Sequence, residues 1–231
     1  MKRYRNLLRI VLVALSCMVL FARTSVAQSH EDDKVGFKWG FAAKVGPEGE
    51  RKFVSVRKDT VMHSGDSVKM VIELTKPCFV YVIHQDPSGE LQLLFPYSLT
   101  QFTKDYIVGK NYFIPKGQDW NYLDQNPGKE VFHLMASAER LTDLEVAYTK
   151  YVAAKGTYKN DMAKKVLAQI RSTKRQFRGL YASAAERPIN IGGNVRGLVT
   201  PQTKQLDVTD VEVGISSKSF YSKTFTVDHQ K

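Results

Sequence analysis

Cysteine is scarce in this chain, with two among 231 residues. Cys17 lies inside an apolar run near the start and Cys78 stands alone in the remainder. No disulfide can therefore brace the body, and burial must supply its stability. The local signatures of common chemistries are also missing. No HExxH, GxSxG, P-loop or paired-cysteine pattern occurs, which removes the usual sequence grounds for a zinc peptidase, a serine esterase, a nucleotide cradle or a zinc finger. No cofactor motif is present. Long apolar runs are lacking too: residues 10–21 form a stretch of twelve, and a helix needs about 20 to cross a bilayer. No repeat or low-complexity tract is visible. Acid is in deficit, with 23 Asp and Glu against 34 Lys and Arg and a net charge of +11.

What is there begins with an export pattern. Lys2, Arg3, Arg5 and Arg9 precede the short apolar run, and Ser25 and Ala27 frame a small-x-small exit. A basic start, a short apolar centre and small residues at the exit are what a signal peptidase reads. The expectation is a signal peptide over residues 1–27, a flexible leader over 28–35 and one β-rich domain over 36–231. The mature chain would be periplasmic or extracellular, with no transmembrane segment. Were cleavage to fail, the same run would be a membrane anchor. A lipidated cysteine would close the apolar run, whereas Cys17 sits within it, so Cys17 reads as filler.

Five of the cations lie before residue 28, so the mature chain is +6. Residues 159–178 hold seven cations against Asp161 alone, which is also +6. The basicity belongs to one segment and the rest is formally neutral.

Hydrophobic periodicity places the elements. Val68, Met70, Ile72 and Leu74 alternate with Ser67, Lys69, Val71 and Glu73, the period of a half-buried strand. Residues 79–83 are apolar at every position, as in a central strand. The turn Asp86-Pro87-Ser88-Gly89 then leads into residues 91–95 and predicts a hairpin. Further strands are expected at 37–45, 53–56, 106–108, 112–114, 131–136, 206–215 and 220–227. Between them the period changes to that of a helix. Thr142-Asp143-Leu144-Glu145 has the letters of a capping box, and Gly156 is placed to stop the first helix. A second helix is expected over about 160–180, with Ala163, Val166, Ile170, Phe177 and Tyr181 as its apolar stripe. These patterns predict a mainly β, loosely α+β fold. It would be an antiparallel β-sandwich-like or small barrel domain with a two-helix insertion, about 139–182, before the last strands.

Several pieces recur in a familiar order: Ser64-Gly65-Asp66 before a strand, Phe79-Val80-Tyr81-Val82 before a Gly-containing turn, Leu93-Leu94-Phe95-Pro96, Ile114-Pro115, and Ala136-Ser137 after a strand. In these the stretch from Ser64 to Leu141 resembles the bacterial family called domain of unknown function 4384. Tyr97 stands where that family often has Asn. The resemblance implies an accessory or recognition role in an exported or multidomain protein and transfers no activity.

Candidate functional residues fall into two groups. On an ideal helix Lys164, Arg171, Lys174, Arg175 and Arg178 share an arc of about 100°, an anion-attracting face suited to an acidic protein partner or an anionic envelope surface. Nucleic acid ranks below these, since export removes the opportunity and no binding motif supports it. The second group is aromatic. Tyr97, Tyr112, Trp120 and Tyr122 belong to a run of eight rings within 28 residues and would stack on a sugar or grip a peptide if exposed. The leading expectation is a non-enzymatic recognition or assembly module of the envelope. A glycan- or peptide-binding module and a divergent hydrolase are its rivals. His63, Asp66 and His84 drawn into one pocket would favour the hydrolase. His84, Asp86 and Glu90 flank a hairpin, but their number and spacing are marginal for a metal. Neither a metal ligand set nor a catalytic residue is assigned.

Overall fold

The computed structural model describes residues 33–57, 59–181, 185–188 and 207–231. The expected signal peptide, its cleavage point and most of the leader lie outside the described residues, as do Lys58, 182–184 and 189–206.

Two mainly antiparallel sheets form a sandwich. The first contains β1 (Val35–Val45), β2 (Lys52–Ser55), β4 (Ser67–Leu74), β7 (Asn111–Ile114), β8 (Asn121–Tyr122), β10 (Ala185–Pro188) and β11 (Val213–Ser217). The second has the order β3 (Thr60–His63), β12 (Phe220–Gln230), β9 (Gly128–Ser137), β5 (Phe79–Gln85) and β6 (Leu91–Phe95). Within this second sheet β3 runs parallel to β12.

The core follows from strand alternation. Phe37, Trp39 and Phe41 of β1, with Met70 and Ile72 of β4, face Val80 and Val82 of β5, Phe132 and Leu134 of β9, and Phe225 of β12. Ring contacts join the sheets, with Phe41 edge-to-face on Phe132 at 5.0 Å and Trp39 tilted against Phe225 at 4.8 Å.

The apolar run 79–83 of β5 is explained by a third layer. Tyr81 and Ile83 point away from the sandwich and, with Leu91, Met135 and Phe220, receive two helices. These are α1 (Thr142–Ala153) and α2 (Thr157–Gln176), followed by a single turn, α3 (Arg178–Tyr181). Leu144, Tyr151, Met162, Val166 and Ile170 form the helical side of this second core. Edge strand β6 is also covered, because the hydroxyls of Tyr151 and Tyr148 accept from the backbone N–H of Leu91 and Leu93, both at 2.8 Å. An edge whose donors are occupied does not recruit another strand. The fold is thus mixed α+β, dominated by antiparallel sheets, with two helices inserted among the strands.

Several local expectations need correction, among them the strand at 206–215, where Val208–Val211 form a 3-10 turn and the strand is Val213–Ser217. Strand β4 is buried on both faces rather than half-buried. A lid made of Phe113, Trp120 and the 3-10 turn Val208–Val211 covers its outer side. Lys69 lies beneath that lid at 2% exposure, with Nζ 5.1 Å from the Phe113 ring centre, and burial holds its pKa below the ordinary lysine value. The same turn presses so close to β1 that a Cβ on Gly40 would meet the Val208 carbonyl oxygen at 2.6 Å. Residues 106–108 form no strand. Tyr106 instead turns inward, and its hydroxyl accepts from the backbone N–H of Val80 at 2.8 Å.

The capping-box letters do not form a capping box. Helix α1 begins at Thr142 without a side-chain cap, because Glu145 is committed elsewhere. Its carboxylate accepts from the Tyr81 hydroxyl at 2.6 Å and from the Arg140 guanidinium. Gly156, at φ 56°, lies between the helices and leads into α2.

Candidate functional site

Helix α2 is held by Val166 and Ile170, which are fully buried, and by Phe177 just beyond its end, stacked on Phe220 at 4.7 Å. That anchoring fixes which side chains turn outward. Arg171, Arg175 and Arg178 are exposed, and none of them forms an ion pair among the described residues. Lys164 is also exposed, but pairs with Asp161 at 3.5 Å. Cations in the last turn also complement the negative end of the helix dipole.

Lys174 departs from the expectation of an outward-facing cation. It lies half-buried on the sheet, where Nζ donates to Thr224 Oγ1 at 2.7 Å. Burial lowers its pKa, with no carboxylate opposing the effect. Thr224 pairs across the ladder with His133. Both His133 ring nitrogens are shut off from solvent without a hydrogen bond. Burial first, then Lys174, Arg171 and His84, push that imidazole down to about 4. The seam between α2 and the sheet therefore concentrates positive charge, and among the described residues no carboxylate pairs with Arg171, Lys174, Arg175 or Arg178. Desolvated cations are normally paired, so an anion supplied from outside would be favoured here.

The aromatic candidates separate. Tyr112 is 2% exposed and packs on Phe95 at 5.3 Å, so it belongs to the core and cannot stack on a ligand. Its hydroxyl accepts from the backbone N–H of Ile107 at 2.6 Å. Tyr97 is at the surface, its hydroxyl tied to the Phe113 carbonyl at 2.6 Å. Trp120 is half-buried against Phe53 at 6.3 Å, with the Lys44 ammonium 4.4 Å above its ring. Tyr122, 65% exposed, is the one of the four that borders a cavity described here. The four rings form no common platform.

That cavity, of about 790 Å³, opens at one end of the sandwich. Along three neighbouring strands the inward stripe changes there from apolar to polar: Val82 to His84 on β5, Phe132 to Glu130 on β9, and Val227 to His229 on β12. His84 Nε2 meets Glu130 Oε2 at 2.6 Å, and its ring stacks on Phe132 at 4.6 Å. Behind them His229 Nδ1 lies 3.5 Å from Glu130 Oε1, and His229 Nε2 lies 3.0 Å from Ser64 Oγ. Glu130 and His229 were not singled out in the sequence as site residues, and Ser64 entered only as part of the Ser64-Gly65-Asp66 turn. The available signal was a carboxylate and an imidazole in phase with buried apolar residues on their strands.

A serine, histidine and glutamate in a row invite a hydrolytic reading, but the surroundings do not support one. The backbone N–H groups of Ser64, Gly65 and Asp66 are all committed, to Gln230, Leu123 and His63 carbonyls at 2.9–3.0 Å. None is left beside Ser64 to stabilise an oxyanion. The trio His63, Asp66 and His84 is not assembled either. Asp66 uses its two oxygens on the N–H groups of Gly46 and His63, both at 2.8 Å, and so shapes a turn. Burial pushes the Cys78 thiol up to about 11, which keeps it protonated and inert. Of the hairpin trio, His84 binds Glu130, Asp86 accepts from the Glu90 N–H at 2.8 Å, and the Glu90 carboxylate is taken by Tyr151 and Lys159. Among the described residues no group of three or more His, Cys, Asp or Glu is placed to hold a metal ion.

Residues 61–140 match the family model described as Domain of unknown function (DUF4384). The span takes in most of β3 and continues through β9, so it contributes strands to both sheets, while β1, the helices, β11 and β12 lie outside it. Every residue lining the cavity falls within the matched span, and the basic helix does not. No curated protein and no solved structure matches the chain.

Proposed function

We propose that this chain is an exported, non-enzymatic recognition or assembly module of the bacterial envelope, and that it docks an acidic protein partner along α2. The observation that carries the reading is the uncompensated charge at the seam. Among the described residues Arg171, Arg175 and Arg178 are exposed without ion pairs, beside a half-buried Lys174 whose one hydrogen-bond partner is a threonine hydroxyl. Export rests on the pattern of residues 1–27, and the mature chain should begin at Gln28 in protein sequenced from the cell envelope.

The binding test uses polyglutamate as the probe. Wild-type protein should bind it at low salt and release it as ionic strength rises, because exposed charges are screened beyond about 10 Å at 0.1 M salt. Replacing Arg171, Arg175 and Arg178 together by Gln should leave the circular-dichroism spectrum and thermal midpoint unchanged while weakening binding about tenfold or more. Equal affinity of variant and wild type would reduce the helix to a solvated face. Binding to vesicles of anionic lipid, with none to polyglutamate, would overturn the protein-partner reading in favour of a membrane surface.

A further inference from the structure

The cavity at the end of the sandwich is lined by none of the seam cations Arg171, Lys174, Arg175 and Arg178, and its chemistry points to a different class of ligand. Its floor includes Val68, Leu94 and Phe132, and among the described residues its walls carry carboxylates and amides but no Lys or Arg. A cavity of about 790 Å³ lies within the usual range for a small-molecule site, roughly 300–1,000 Å³.

The carboxylates are already engaged and so are held in place. Glu130 is fixed by His84 at 2.6 Å, Asp86 by the Glu90 N–H and the Ser88 hydroxyl at 2.8 and 2.7 Å, and Asp124 by the Asn126 backbone and side chain at 2.8 and 2.7 Å. Across the cleft Gly128 opens β9, and a Cβ there would meet Pro87 at 2.6 Å. This close approach keeps the hairpin turn against the start of that strand. Fixed acceptors bind without the ordering cost of mobile side chains.

Gln92, Asn121 and Tyr122 remain, exposed and without a side-chain hydrogen bond among the described residues. Amides and a phenol both donate and accept. An ammonium or guanidinium group only donates, and a phosphate or carboxylate would meet carboxylate walls, the nearby Arg51 and Lys159 being taken up by the Gly65 carbonyl and by Glu90. A ligand that both donates and accepts around an apolar ring face is a polyol. Tyr122 supplies an exposed ring, held from one side by Arg51, whose guanidinium lies 5.2 Å from the ring centre and donates to the Gly65 carbonyl at 3.1 Å.

We infer that this cleft is a binding site for a neutral saccharide, whose C–H face lies on Tyr122 and the apolar floor while its hydroxyls bridge Gln92, Asn121 and the carboxylate of Glu130. This assigns to Tyr122 alone the stacking role that the sequence had spread over four rings.

The test is an NMR titration of the full chain with the trisaccharides of glucose and of N-acetylglucosamine, with tri-arginine peptide as the charged comparison. Shifts should appear at residues of β5, β6 and β8 with at least one saccharide and persist at high salt. Tyr122→Ala and Gln92→Ala are surface changes that should preserve the fold, and each should weaken saccharide binding about tenfold. The Arg171, Arg175 and Arg178 triple variant should bind saccharide as wild type does, which separates failure here from failure of the helix reading. No shift with either saccharide, undiminished binding by both cleft variants, or preferential binding of tri-arginine would each overturn the assignment.

Discussion

Acidification should weaken this protein in a window set largely by His133. The imidazole lies between the sheet and α2, with both nitrogens unbonded and with Lys174, Arg171 and His84 as the charged or titratable neighbours that depress it. Its pKa falls from 6.5 to about 4 in the folded protein. Above about pH 6.5 both folded and unfolded states carry a neutral ring and this linkage costs nothing. Between about 6.5 and 4 the unfolded chain binds a proton that the folded chain refuses, so stability declines as pH falls, and below about 4 the loss levels off. At about 1.4 kcal/mol per pH unit the interval corresponds to about 3 kcal/mol, reduced toward about 2 by the partial exposure of the seam. Because carboxylates titrate over the same range, the assay must be differential. Urea unfolding of wild type and His133→Leu would be compared at about pH 7.5 and about pH 4. Near neutrality leucine should match or exceed wild type, since it removes two unsatisfied buried nitrogens. At the lower pH the variant should be the more stable by a further 2 to 3 kcal/mol, roughly. Parallel losses in the two proteins would show that His133 does not titrate as its surroundings require.

Two further predictions test the packing. Tyr81→Phe removes the hydroxyl that donates to Glu145 and accepts the Leu141 N–H at 3.0 Å; the expected loss is about 1–3 kcal/mol in chemical denaturation, and an unchanged midpoint would deny the bridge between sheet and helix. Lys69→Met replaces a buried ammonium beneath Phe113 and Trp120 by an apolar chain of similar length. It should be neutral or stabilising by about 1 kcal/mol, and a substantial fall in thermal midpoint would show that the cation carries net stability there.

Most strands were legible because alternation reports which residues meet the core, and the β5–β6 hairpin followed from a turn sequence between two apolar runs. The short strands β3, β8 and β10 were not, since two to four residues hold little of a period, and among strands of that length only β2 and β7 were expected. Glu145 shows why a local motif misled. Its letters suit a helix cap, but the hydroxyl of Tyr81, 64 residues away, and the Arg140 guanidinium claim the carboxylate. Tyr112 shows the same for a site residue: it sits in a run of rings that reads as a platform, yet cross-strand pairing with Ile72 turns it into the core.

The concentration of charge in α2, the helical period that anchors it and the β character of the rest belong to the sequence, because each depends on residues close together along the chain. The candidate sites themselves depended on tertiary structure. Lys174 could be known as half-buried beside His133 only once α2 lay on β9 and β12. Glu130, His84 and His229 come from strands separated by 46 to 145 positions and met only when the sheet order β12-β9-β5 was set. A sequence carries the type and phase of each side chain. Which buried groups share a dry interior or the rim of a cleft is decided by long-range strand pairing.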